Sequence, residues 1–250
     1  MQTLSKNKIS QIASLQQKKF RLEHNEFLVE GKKSVQDFLR SGFEASCVVI
    51  AKEELLSAID VREDIVFLAG DKDRQKISAL STAPEMMAVF KMPQHRNEGD
   101  WKNTFSLVLD GVRDPGNLGT IIRTADWFGI QNIYCSLDCV DCFNPKVVQA
   151  TMGSLARVKI YYFDLPLLMK EALQEKSFVV MGAYMEGENV NDFKFTGKGF
   201  LVMGNESEGI RTDVAPFISQ KISIPKANSS NAESLNVSIA TAILCHSLKR

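Results

Sequence analysis

The chain has 250 residues, of which 44% are hydrophobic and 24% charged, and this balance predicts a folded protein with an ample core. Its formal net charge is zero, so no overall positive field indicates a nucleic-acid partner, and any such signal must be local. No apolar run reaches the roughly 18 residues that a membrane span requires, and no signal-peptide pattern opens the sequence, so we expect a cytoplasmic protein.

The local charge lies at the N-terminal end. Residues 1–40 hold eight basic and four acidic side chains, an excess of four positive charges. A basic end suits a polyanionic partner, although a solvated helix face gives the same count, and charge alone leaves both interpretations open.

Short apolar runs alternate with helical periodicities before residue 100, which predicts a small α/β domain. The predicted strands lie at 27–31, 45–51, 64–70 and 87–91. The predicted helices lie at about 7–20, 32–41, 52–58 and 72–80. The polar segment 91–103, with Pro93 and Gly99, is the predicted linker. It divides the chain into domains of residues 1–100 and 101–250.

The apolar runs after the linker are longer and lack polar alternation. This pattern predicts a mainly parallel sheet that helices cover on both faces. The predicted strands are FSLVLDG, NIYCSL, RVKIYYF, FVVMGAYM, GFLVMG and KISIP. The predicted helices lie at about 117–129, 144–150, 165–175, 210–218 and 234–249.

The first motif is a strand, turn and helix with the sequence LDGVRDPGNLGTIIRTADWFG, residues 109–129. We expect Asn117 to be the N-cap of the helix and Arg123 to lie off its buried stripe. Ligands of parallel sheets bind beyond the carboxyl ends of the strands, so both residues are candidates for a site. The alternative is a well-capped helix with one solvated arginine. The glycines match neither the dinucleotide fingerprint nor a P-loop.

Two further motifs follow. In GFLVMGNESEGI, residues 199–210, a buried strand ends at Gly204 and is followed by the Glu206 carboxylate, although an ordinary polar turn would give the same pattern. In residues 222–250, Ile224-Pro225 closes the last strand, and Ser234-Leu235-Asn236 opens a helix that is apolar or small on nearly every face. Such a helix is either a core helix or part of a dimer interface.

The cysteines Cys135, Cys139 and Cys142 have a spacing that raises the possibility of a metal site. A fourth ligand is missing nearby, and all three histidines are distant in sequence, so we expect no metal. The odd number of five cysteines is typical of a reducing compartment.

Taken together, the three motifs resemble the SpoU family of RNA 2′-O-ribose methyltransferases, which belongs to the knotted methyltransferase superfamily. The matching residues are Asn117, Gly119, Arg123 to Ala125, Gly204 to Glu206, Ile224, Pro225 and Ser234 to Ser238. Asn144 to Lys146 and Met152 to Ser154 are similar to the family's intermediate stretch. Lys19 to Arg21 and Phe27 to Gly31 are similar to its substrate-binding domain, which resembles ribosomal RNA-binding proteins of the L30e type.

The resemblance implies an α/β fold whose mainly parallel sheet carries a C-terminal trefoil knot, preceded by a smaller L30e-like α/β domain. It implies S-adenosylmethionine as cofactor, held around Met203, Gly204, Asn205, Ile224 and Leu235. Arg123 would act on the 2′-hydroxyl, while Asn117, Glu206, Ser234 and Asn236 would shape the site. Whether Arg123 is the base or stabilises the alkoxide stays open, because a guanidinium hardly deprotonates. A second subunit would complete the pocket, so we expect a homodimer.

The expected substrate is ribosomal RNA of the 23S type. The alternatives are transfer RNA, or a non-catalytic RNA-binding or ribosome assembly factor. Two departures from the family pattern are the long loop 226–233 and the pair Cys245-His246 in the last helix, where relatives often have an acidic residue.

Overall fold

The computed structural model describes residues 2–93, 101–195 and 197–249. The strands, in chain order, are β1 (Gln2–Thr3), β2 (Glu26–Glu30), β3 (Ala45–Ile50), β4 (Val66–Leu68), β5 (Met86–Lys91), β6 (Phe105–Leu109), β7 (Asn132–Ser136), β8 (Lys159–Phe163), β9 (Val179–Asn189), β10 (Gly199–Met203) and β11 (Gln220–Ser223). The helices are α1 (Lys6–Ser14), α2 (Lys18–His24), α3 (Lys32–Arg40), α4 (Asp71–Ile77), α5 (Pro115–Trp127), α6 (Pro145–Ala150), α7 (Leu165–Ala172) and α8 (Val237–Leu248).

The chain forms two compact units. Unit 1 contains Met1–Gln94 and Asp141–Arg157, and unit 2 contains His95–Val140 and Val158–Arg250. Most of the predicted linker, residues 94–100, lies outside the described residues. Trp101, at the far end of that linker, is buried in the core of unit 2.

Unit 1 is built on a five-stranded mixed sheet with the order β1-β4-β3-β5-β2. Strand β5 is antiparallel to both of its neighbours, whereas β4 is parallel to β1 and β3. Phe27, Phe38 and Phe90 are fully buried, and their ring centroids lie 5.3–6.1 Å apart. These aromatic contacts form part of the core beside the edge strand β2.

The segment 141–157 is bound to unit 1 by buried polar and aromatic contacts. Arg21 is 2% exposed and donates from Nη2 to Asp141 at 2.6 Å and from Nε at 3.2 Å. The ring of Phe143 lies 4.5 Å from that of Phe27. Gly153 has φ +92°, and a Cβ atom there would come within 2.5 Å of the Asp37 carboxylate. Only glycine meets both conditions, so the Met-Gly-Ser motif is explained here by packing.

The Arg21–Asp141 pair has a testable effect on stability. We expect Arg21→Met to lower the free energy of unfolding by roughly 3–5 kcal/mol, because the Asp141 carboxylate would lose its partner in a largely buried site. Urea denaturation measures the change. Lys52→Met is the matched control, since the Lys52–Glu85 pair is more than half exposed and should contribute less than about 1 kcal/mol. Equal losses in both variants would contradict the buried-pair argument.

Unit 2 contains a six-stranded sheet with the order β11-β9-β10-β6-β7-β8, and every neighbouring pair in it is parallel. The mainly parallel α/β fold expected for this half is confirmed. Leu109 at the end of β6 is in register with Met203 at the end of β10. The residues that follow these two adjacent strands, Asp110 and Gly204, therefore lie side by side at the same edge of the sheet.

Three expected helices differ from those observed. The helix expected at 7–20 is two helices, because the carbonyls of Leu15 and Gln16 accept hydrogen bonds from Arg21 Nη1 at 2.9 Å. The helix expected at 52–58 is a 3-10 helix, Glu53–Ala58. The helix expected at 210–218 is only a 3-10 turn, Ala215–Phe217, since Pro216 lacks a backbone donor. No helix in the described ranges is long and apolar enough to cross a membrane.

Candidate active site

Helix α5 begins one turn earlier than its sequence suggested. The N-cap is Asp114, whose Oδ1 accepts from the backbone N–H of Asn117 at 2.8 Å, and Pro115 occupies the first helical position. The prediction that Asn117 caps this helix is therefore wrong. Proline is favoured at the first position because its missing donor would have no intrahelical partner there. As a result, the Asn117 side chain can take part in contacts with other segments.

The loop after β10 is a tight turn organised by Asn205. The backbone N–H of Asn205 donates to Gly209 O at 3.0 Å, and that of Gly209 donates back at 2.9 Å. The Asn205 amide also accepts from Ser207 N–H at 2.9 Å and donates to Gly111 O at 2.8 Å. A Cβ atom on Gly204 would collide with the Gly209–Ile210 backbone. The turn is thus held in one conformation, with Glu206 following Asn205.

Asn236 is the N-cap of α8. Its Oδ1 accepts from the backbone N–H of Ser238 at 2.9 Å and from the Ser238 hydroxyl at 2.6 Å. Its Nδ2 donates to Asn117 Oδ1 at 2.9 Å, and Asn117 Nδ2 donates to the Glu206 carboxylate. Because an ionised carboxylate only accepts, it determines the orientation of both amides. One residue from each sequence motif thus joins a single hydrogen-bonded series.

A cavity of about 630 Å³ lies beside this series in unit 2. Its walls come from residues 183–185, 203–210, 222, 224–227 and from several positions between 230 and 244. The five residues expected to hold the cofactor, Met203, Gly204, Asn205, Ile224 and Leu235, all line it, as do Glu206 and Ser234. Glu206 therefore belongs to both the cavity wall and the hydrogen-bonded series.

Arg123 is the predicted site residue that the structure does not bring to the others. It is exposed on α5. It lies six residues after Asn117, which corresponds to about 9 Å along the helix axis at a rise of roughly 1.5 Å per residue. It is not among the residues that line the cavity. It shares a helix face with Trp127, four positions later, whose side chain is 85% exposed.

Two family descriptions match this chain. Residues 6–88 match the MRM3-like substrate binding domain. Residues 104–246, more than half of the chain, match the SpoU rRNA Methylase family. The chain belongs to the SpoU rRNA Methylase family.

Similar proteins cover the SpoU chain from end to end. The Bacillus subtilis 23S rRNA (guanosine(2553)-2′-O)-methyltransferase RlmP is 28% identical over 100% of this chain and 98% of its own. A solved structure from Porphyromonas gingivalis, described as an RNA methyltransferase of the TrmH family, is 37% identical, covers 98% of both chains and has a TM-score of 0.89. An AdoMet-bound rRNA methyltransferase from Sinorhizobium meliloti is 30% identical, covers 99% and 95% of the two chains and has a TM-score of 0.83.

Sequence reasoning missed several polar residues of this candidate site. Tyr184 and Lys226 line the cavity, and Lys226 Nζ donates to Ala232 O at 2.6 Å across the long loop. Asp110 and Arg211 form an ion pair next to the Asn205 turn. A signal for that pair was present, since Asp110 directly follows a strand that is apolar apart from Ser106, but its partner is 101 positions away.

The cysteines do not form a metal centre in the described residues, where no group of three possible ligands is close enough to hold an ion. Cys135, Cys139 and Cys142 are buried. Hydrogen bonding to Cys135 and Ser136 lowers the pKa of the Cys139 thiol to about 7, against the opposing effect of burial.

Proposed function

We propose that this SpoU protein transfers the methyl group of S-adenosylmethionine to a ribose 2′-hydroxyl of 23S ribosomal RNA. The observation that carries the proposal is the series Asn236, Asn117 and Glu206, which ends at the wall of a ligand-sized cavity. The AdoMet-bound relative from S. meliloti supports the cofactor, and the B. subtilis relative supports the substrate.

The residues of the cavity fit the proposed cofactor. Its volume, about 630 Å³, lies within the range of small-molecule sites, roughly 300–1,000 Å³. Ile222, Ile224 and Leu235 offer apolar surface suited to an adenine ring, while Glu206 and the backbone of the Asn205 turn offer polar groups suited to a ribose. When bound, the cofactor supplies an electrophilic methyl group on a sulfonium. We propose that Met203, Gly204, Asn205, Ile224 and Leu235 hold it.

The chain's own residues must position the ribose and manage its proton. A ribose hydroxyl is a weak acid, so its oxygen needs electrostatic stabilisation as the proton leaves. We propose that Arg123 provides this stabilisation and anchors a neighbouring phosphate, because a guanidinium stays protonated and binds oxyanions in a fork. Asn117, Glu206, Ser234 and Asn236 orient the ribose and exclude alternative geometries.

A C-terminal trefoil knot is part of this proposal. Residues from three stretches that are separate in sequence, 203–210, 222–227 and 230–244, line the same cavity. In the family that this chain resembles, threading of the C-terminal segment through a loop brings such segments together. Knots are almost absent from other proteins, so the arrangement would be a specific mark of this site.

A homodimer is the second structural element of the proposal. Helices α5 and α8 pack against each other in unit 2. Three of their large apolar residues are nevertheless exposed to solvent: Trp127 is 85% exposed, Ile239 51% and Ile243 36%. Large apolar side chains clustered on one surface favour a protein interface. Arg123 lies on the same face of α5 as Trp127. We propose that a partner covers that face and receives Arg123 near its own cavity, which would explain the isolated position of this residue.

We expect Trp127→Glu to convert the dimer into monomers, because a charge would be buried at the centre of the interface. Sedimentation velocity measures the change. Leu167→Glu is the control, since Leu167 is 62% exposed on α7 of the same unit, away from the proposed interface. A wild-type protein that sediments as an active monomer would overturn the dimer.

The N-terminal domain, residues 1–100, is proposed to bind the RNA and to have an L30e-like fold. The match of residues 6–88 to a substrate binding domain supports this role. Lys18, Lys19, Lys32 and Lys33 are exposed and available for phosphates, whereas Arg21 is buried against Asp141 and is not. We propose that the protein is cytoplasmic, a location that suits a ribosomal RNA substrate.

Incubation with total RNA and radiolabelled S-adenosylmethionine, followed by mapping of 2′-O-methyl positions, tests the function. We expect label on one or a few riboses of 23S ribosomal RNA. Label on riboses of transfer RNA would show that the substrate is transfer RNA, while the proposed reaction would still hold. Label on a base or on protein would overturn the reaction, and binding of RNA without label would indicate a non-catalytic RNA-binding factor.

A further inference from the structure

Asp110 connects both ends of the loop 204–210. Its side chain is completely buried at the end of β6. Its backbone N–H donates to Met203 O at 2.9 Å, just before the loop begins. Its carboxylate accepts from Arg211 at the other end of the loop, from the backbone N–H at 2.8 Å, from Nε at 2.6 Å and from Nη2 at 2.5 Å. A single residue thus holds the entry and the exit of the loop that carries Asn205 and Glu206.

Arg211 extends this connection to a third strand end. Its Nη1 lies 3.4 Å from Asp138 Oδ1, just beyond β7. Asp138 accepts from the Ser136 hydroxyl at 2.7 Å, and that hydroxyl accepts from the backbone N–H of Gly111 at 2.9 Å. The Ser136 hydrogen bond and the Arg113 guanidinium lower the pKa of Asp138. Asp110, Arg211 and Asp138 therefore connect the carboxyl ends of β6, β7 and β10 next to the loop 204–210.

Neither Asp110 nor Arg211 lines the cavity, although residues 203–210 all do. The pair would therefore contact a ligand only through the loop, although the charge of Asp110 also acts on the cavity wall, where it contributes to raising the pKa of Tyr184. A buried ion pair adds little net stability, because desolvation of both charges offsets their attraction. Its distinctive property is directional: Nε and Nη2 of Arg211 both donate to Asp110 Oδ1, while the Arg211 backbone N–H donates to Oδ2, so the carboxylate fixes the backbone and the side chain of Arg211 together. Such a pair is suited to fixing the shape of a loop.

We infer that Asp110 and Arg211 are positioning residues that hold the loop 204–210 in the shape required to bind the cofactor. The inference rests on the proposed function, because it concerns the S-adenosylmethionine pocket. It predicts that cofactor affinity depends on the ion pair even when the stability of the fold does not.

The test measures S-adenosylmethionine binding by calorimetry and stability by urea denaturation, on the full chain. Arg211→Gln leaves a buried carboxylate unpaired, so we expect a loss of stability and affinity weaker by at least about ten-fold. In the double variant Asp110→Asn with Arg211→Gln, no buried charge is left, and we expect stability to return to near the wild-type value. Cofactor affinity should stay at least about ten-fold weaker, because neutral amides do not reproduce the charged fork.

Arg211→Lys keeps the charge but loses the fork, and we expect it to fold with affinity about five-fold weaker. Arg113→Gln is the matched control, since Arg113 forms its ion pair with Asp138, at 2.7 Å, and not with Asp110. It should bind the cofactor like the wild type. Wild-type affinity in Arg211→Lys, or in a double variant of restored stability, would overturn the inference. A wild-type protein that does not bind the cofactor would instead overturn the proposed function.

Discussion

Arg123→Ala is expected to lower kcat for RNA methylation by about a thousand-fold, the size typical of losing a group that stabilises a developing oxyanion. The Kd for S-adenosylmethionine should stay within about two-fold of the wild type, because Arg123 does not line the cavity. Single-turnover kinetics with saturating RNA and cofactor measure the first quantity, and calorimetry measures the second.

Two companion variants make the Arg123 result specific. Lys170→Ala removes an exposed cation from α7 of the same unit and should leave kcat unchanged. Arg123→Lys keeps the charge without the fork, so it should recover only part of the rate. A large loss of cofactor affinity in Arg123→Ala would show that this residue belongs to the cofactor pocket instead.

The proposed dimer gives Arg123 a second test. If each subunit completes the site of its partner, mixing Arg123→Ala with a variant whose own cavity is blocked should restore activity in the mixed dimers. About a quarter of the full set of sites would be competent in a statistical one-to-one mixture, by the symmetry of a two-fold interface. No recovery in stable mixed dimers would show that Arg123 acts within its own subunit.

Gly204→Ala is expected to weaken binding of S-adenosylmethionine by about a hundred-fold, since a Cβ atom would displace the Gly209–Ile210 backbone and with it the cavity wall. Calorimetry measures the affinity, and thermal unfolding shows whether the variant stays folded. Gly70→Ala is the matched control, because its Cβ would point into open space in unit 1. Unchanged affinity in a folded Gly204→Ala variant would mean that the Asn205 turn does not shape the pocket.

Continuous apolar runs were sufficient to predict the parallel sheet of unit 2. Strands β6, β7 and β10 are buried along their whole length, so their sequences carry no polar alternation. The loop motifs were equally visible, because Gly204 and Asn205 are types that tight turns require. Helix ends were less predictable, since Asp114 and Asn117 are both good caps and only the chain's path selects one of them.

The sequence by itself determined the strands, the family motifs and the residue types of the candidate site, because these depend on short-range sterics and on burial along single elements. Only the tertiary structure decided which of those residues meet. Asn117 contacts Glu206 and Asn236 across 89 and 119 positions, and Arg21 reaches Asp141 across 120. Such long-range pairs produce no periodic pattern in the sequence. Each partner, taken alone, is equally compatible with an ordinary cap, a turn or a solvated helix face, and only the folded arrangement of the strands shows which residues meet.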